Sequence, residues 1–123
     1  MVKRIGYLNG IDSVVLTRLS VMGVGTLPFS NGWDDHGKYI AHITPADGIS
    51  AIIAPFHKIM ASPGDPVGPS DVLTSVLESE IPVILVVPKE LHGRARKMLS
   101  DKNVQFVAPV DLMDALIKLL KIK

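Results

Sequence analysis

His57 and Lys58 follow the apolar run Ile49 to Ala54 and Pro55, and they are the residues of this chain best placed to move a proton or meet a charge. An imidazole there can serve as acid or base near neutral pH, although a histidine in a loop is as often an ordinary surface or packing residue. Trp33-Asp34-Asp35-His36 puts the only tryptophan beside two carboxylates and an imidazole in a Gly-flanked loop. Asp35 and His36 are thereby candidates for a general base or a divalent-cation contact, and the competing reading is a solvated turn with the tryptophan over the core. The cluster lacks the spaced ligands of established metal motifs, so no metal site is assigned. Between His57 and Pro69 the chain carries three prolines and two glycines, which sustain neither helix nor central strand and therefore form a long loop. In it Gly64 and Gly68 could present backbone amides to a phosphate, which Asp65 and Asp71 would repel; Asp65, Asp71 and Ser70 suit ribose or sugar hydroxyls better, or a metal-bridged phosphate, Ser70 and Asp71 equally read as a helix cap, and Lys58 stands at the loop's start. Asn9, Gly10 and Asp12 make a shorter polar loop near the start of the chain. Neither G-x-G-x-x-G, G-x-x-x-x-G-K-[ST] nor a G-x-S-x-G elbow is present, so no cofactor is identified.

These residues need elements to hold them. Lys3 to Asn9 reads as a first strand, broken by Asn9-Gly10. Asp12 caps a helix carrying Val15, Leu19 and Met22 on one face, and Gly23 stands where a helix ends in a left-handed residue. Val24 to Phe29 and Lys38 to Ile43 read as strands. The link Thr44-Pro-Ala-Asp-Gly48 is so short that it favours an antiparallel hairpin into the next strand, Ile49 to Ala54. Ser70 opens a helix with Val72, Leu73, Val76 and Leu77. Ile81 to Val87 is nearly continuous aliphatic sequence ended by Pro88, the pattern of a central parallel strand. Leu91, Ala95, Met98 and Leu99 mark a further helix, Gln105 to Ala108 a last strand, and Asp111 caps a helix over Leu112 to Leu120. His42, within a strand, and His92, opening a helix, read as structural. Strands alternating with helices imply an α/β fold, a three-layer doubly wound, mostly parallel sheet of flavodoxin-like or Rossmann-like type, with one antiparallel strand admitted by the short link.

A chain of 123 residues is one domain, 1–123, with no internal repeat or linker. The absence of cysteine excludes disulfides and thiolate chemistry and agrees with a cytoplasmic location. Thirteen basic and twelve acidic residues leave a net charge of +1, which disfavours nucleic acid as partner. No apolar run approaches the ~20 residues of a membrane span, and a soluble, untargeted protein is expected. The broad apolar surface of Leu112 to Leu120, in a chain 47% hydrophobic, implies a homodimer or higher homo-oligomer.

The layout of Tyr7-Leu-Asn-Gly10 and of Ala46 to Pro88 is similar to that of the nucleoside 2-deoxyribosyltransferase-like group: a short glycine loop after the first strand, an Asp-led strand, a polar loop, and Pro-Val-Ile later. The resemblance implies that a Gly-Thr-x-x-Glu nucleophile segment falls near Ser70 to Glu78; the chain reads Asp-Val-Leu-Thr-Ser-Val-Leu-Glu there and lacks it. In open α/β sheets ligands bind beyond the carboxyl ends of the strands, where Asn9 to Asp12, His57 to Ser70 and Pro88 to His92 would gather. The expected function is binding of a small polar metabolite, nucleotide or sugar-like, at that edge; the alternative is a non-catalytic subunit or regulatory module acting through protein contacts.

Overall fold

The computed structural model describes residues 3–30, 37–59, 73–99 and 101–121. Within them β1 (Arg4–Tyr7), β2 (Gly25–Ser30), β3 (Lys38–Tyr39), β4 (Ala51–Pro55), β5 (Val83–Val86) and β6 (Val104–Val107) form one sheet in the order β3-β2-β1-β4-β5-β6. Every pairing is parallel. Helices α1 (Ser13–Val21), α2 (Thr74–Glu78), α3 (His92–Met98) and α4 (Leu112–Leu120) cover its two faces. Ile52, Ala54, Val83, Leu85 and Val87 pack on one side with Val76 of α2 and Ala95 of α3. Ile5, Ala51, Ile53 and Ile84 pack on the other with Leu19 of α1 and Leu116 of α4. Successive strand residues point to opposite faces, so a strand apolar at every position is stable only between two helical layers. All five residues of β4 are buried, as that requires. The fold is the expected three-layer α/β sandwich, Rossmann-like in strand order.

The expected antiparallel strand is not present among the described residues. Of Lys38 to Ile43 only Lys38 and Tyr39 are strand, paired in parallel with Phe29 and Ser30, and Ile40 to His42 turn as a 3-10 helix. The reason is the spacing of two isoleucines. Ile40 and Ile43 are both buried in the same core. Residues three apart face opposite sides of a strand but the same side of a helical turn, so the core draws the chain off the edge. Thr44-Pro45-Ala46-Asp47 then forms a compact 3-10 turn closed by the Asp47 side chain. Asp47 Oδ2 accepts from the Thr44 amide at 2.8 Å, Pro45 occupies the first turn position, and Asp47 N donates to the Thr44 carbonyl at 3.0 Å.

Asp12 caps α1 as expected, its Oδ1 accepting from Val14 N at 2.9 Å, and Gly23 takes φ +85° after the helix. α4 begins and ends where its pattern indicates. Asp111 makes no side-chain cap there, because Pro109 to Asp111 form a 3-10 turn that leaves Asp111 itself helical at φ −98° and ψ −2°. The breadth of α4 is largely consumed inside the chain: Leu112, Met113, Leu116 and Leu120 are buried, and Ala115, Ile117 and Leu119 pack half-buried against the same core. Leu73 precedes α2; the expected cap Ser70 lies outside the described residues.

Two expectations follow. A Cβ on Gly6 would stand 2.5 Å from Phe29 Cε2 and 2.6 Å from Ile52 Cδ1, both fully buried side chains. Gly6→Ala should therefore cost about 1–3 kcal/mol by overpacking, read as a lower urea midpoint with unchanged slope. The Asp47 carboxyl is held below its ordinary value, first by the Thr44 amide and then by Lys38 Nζ at 2.9 Å. A lowered folded value means that this stabilisation is complete above about pH 4 and drains away as pH falls through it. Asp47→Ala should thus lower stability by about 1 kcal/mol at neutral pH, with the gap to the wild type closing in acid melts.

Candidate functional site

Helices and strands alternate so that the connections after β1 and β4 diverge. β1 leads through α1 to β2 on one side, while β4 leads through α2 to β5 on the other, and the strand order reverses between the two neighbours. A crevice must open where adjacent loops depart in opposite directions. It contains a cavity of about 300 Å³. Gly10, Ile11, Asp12 and Val15 form one wall, from the β1 exit into α1. Pro55 and His57 come from the β4 exit, Val86 and Pro88 from β5, and Pro109 and Leu112 from the turn between β6 and α4.

Three of these exits share one local design. β4, β5 and β6 run into Ala54-Pro55, Val87-Pro88 and Ala108-Pro109, and each is followed by, or begins, a single 3-10 turn: Phe56–Lys58, Lys89–Leu91 and Pro109–Asp111. A proline fixes φ and removes an amide donor, so the chain leaves the sheet in one preset direction and presents ring methylenes. Among the described residues the lining is accordingly mostly apolar, with Asp12 and His57 as its ionisable members.

Of the candidates from sequence, Gly10, Asp12 and His57 meet on this cavity. Gly10 takes φ +102°, and a Cβ there would approach Pro55 Cγ to 3.0 Å and Lys58 Cε to 3.8 Å. Lys58 thus lies beside the β1 loop, half-buried and just off the cavity wall, and Asn9 is exposed in the same turn. His57 is exposed. Asp12 spends one oxygen on its cap and sets a negative charge at the helix end that would otherwise attract anions, so this end of α1 suits hydroxyl and amide donors better than phosphate. Asp35, His36, Gly64, Asp65, Gly68 and Ser70 lie outside the described residues.

His92 proves structural: its Nε2 lies 2.8 Å from the Val87 carbonyl oxygen and its ring stands near Phe106. His42 is exposed, edge-on to Tyr39 with ring centroids 5.1 Å apart. Among the described residues no three His, Asp or Glu side chains gather as a metal site, and no helix is long and apolar enough to cross a membrane. The residues that polar-motif reasoning missed are the apolar ones, above all Pro55, Pro109 and Leu112. Their signal was the recurring strand exit into Ala-Pro or Val-Pro, too short to register as a repeat. Neither protein-family models nor curated proteins give a match to this chain, the deoxyribosyltransferase-like layout included.

Proposed function

We propose that the chain binds a small metabolite of nucleoside or sugar-like type in the cavity between β1 and β4. The observation that carries this reading is the position of that cavity: about 300 Å³ at the reversal of strand order, walled by four strand exits and bordered by Asp12 and His57. The volume is at the lower end of small-molecule sites, which fits one ring with its hydroxyls rather than a dinucleotide. The rigid proline-lined walls suit the apolar faces of such a ring, and Asp12 Oδ2 and the His57 imidazole suit its polar rim. Proton transfer by His57 would make the protein an enzyme. The rival reading, a subunit acting through protein contacts, is favoured by a different feature, the open edge of the sheet at β6. Self-association remains part of the proposal, although α4 itself offers less free apolar surface than its sequence implied.

A thermal-shift screen with nucleosides, nucleotides and sugars tests the reading. A ligand at ~100 times its Kd should raise stability by about 2.7 kcal/mol. Ile11→Trp, at a half-buried wall position, should fill the cavity and abolish that shift while the unliganded melting temperature stays near wild type. A full shift in this variant would place the ligand elsewhere. His57→Ala then divides the classes: in an enzyme turnover should fall about 10²-fold with affinity largely kept, whereas in a binding module affinity alone can respond.

A further inference from the structure

β6 is the outermost strand on its side of the sheet, and nothing among the described residues pairs with its far side. Val87 N donates to the Val107 carbonyl at 2.9 Å and Val83 N to the Asn103 carbonyl at 2.8 Å, so the odd-numbered residues of β6 face β5. In a parallel ladder a residue's amide and carbonyl point the same way, and Phe106 therefore turns both outward. Its side chain is half-buried, and the cavities beside β6 open on both faces of the sheet.

The charges bordering this edge on one face are arranged by height. On the α4 face Asp114 stands towards the carboxyl edge and Lys118, one turn on, towards the amino edge, both exposed and both lining the groove against β6. On the α3 face Lys89 lies at the carboxyl edge, while Asp101 and Arg96 together line the groove towards the amino edge, so that face carries no such order. The α4 face is thus opposite in sign at its two ends, and its pattern is complementary to itself when one copy is turned end over end.

We propose that β6 is a self-association edge: two copies join antiparallel about a two-fold axis normal to the sheet, with the Phe106 amide and carbonyl exchanged between them. In that arrangement Asp114 faces the second copy's Lys118. The alternative two-fold, along the strands, sets equivalent amides at the same height and forbids reciprocal bonding. The surface is separate from the ligand cavity, so a failed ligand screen leaves it untouched.

Sedimentation equilibrium of the full chain tests it, with circular dichroism confirming that each variant folds. The wild type should sediment at twice 13.3 kDa. Asp114→Lys and Lys118→Asp should each weaken the dimer about tenfold or more, and the double swap should restore it. The swap separates the two geometries, since strands paired in parallel would set position 114 against Lys89 and gain nothing from the second change. Phe106 amide exchange should slow in the dimer alone. A monomer at all concentrations up to about 100 µM overturns the proposal, as does a dimer that the single swaps leave unchanged or the double swap fails to restore.

Discussion

The pairing of β1 with β4 is the constraint from which the rest of the molecule follows. Ile5 lies beside Ala51, Gly6 beside Ile52 and Tyr7 beside Ile53, and the ladder continues in the bond from Leu8 N to the Ile53 carbonyl at 3.1 Å. These strands are distant in sequence, so their closure pays a loop entropy that only dense packing can offset. The density is concentrated at Gly6, where the missing side chain lets Phe29 and Ile52 close over the backbone. Were β1 and β4 spaced apart there, the helical layers would lose their shared floor.

That same pairing creates the candidate site. Because β1 turns one way and β4 the other, a crevice opens above their junction, a product of topology rather than of a dedicated motif. What the sequence adds is rigidity. Proline at the exits of β4, β5 and β6 fixes φ and denies the chain a ladder donor at each, Pro88 and Pro109 level with one another and Pro55 two positions below. Gly10 closes the arrangement from the other side, its left-handed backbone fitting beside Pro55 where a side chain would crowd it.

Much of the fold was legible because burial on two faces leaves a plain mark. Ile81 to Val87 and Ile49 to Ala54 could be read as central strands from their aliphatic continuity, and α4 from its periodicity. Lys38 to Ile43 misled because a six-residue strand and a two-residue strand running into a 3-10 turn look alike until one knows that Ile40 and Ile43 share a core. The short link after it then suggested a hairpin, whereas the chain passes through the Thr44 to Asp47 turn across β2 and β1 to reach β4. Of the site, Gly10, Asp12 and His57 were found because turn and titratable residues announce themselves. The proline and leucine walls were not, since apolar residues at strand ends look the same whether they line a cavity or seal a core.

The two edges of the sheet finish the molecule in contrasting ways. On the β3 side the edge is blunted: the strand pairs over two residues, Pro28 interrupts the donors of β2, and Gly37 packs so closely that a Cβ would meet the Pro28 carbonyl oxygen at 2.5 Å. Lys38 is tied to Asp47, whose carbonyl in turn accepts from Arg4 at 3.1 Å, so charge and chain crossover seal that side. The β6 side has no proline within the strand and no crossover of its own among the described residues, and Phe106 holds its peptide groups outward. Natural sheets seldom leave such an edge without protection. Asp114 and Lys118 on the α4 face stand beside it in opposite order of charge, an arrangement that an inverted copy would complement. A second copy paired antiparallel about a two-fold axis would satisfy that edge without open-ended growth, because each β6 would then be used once.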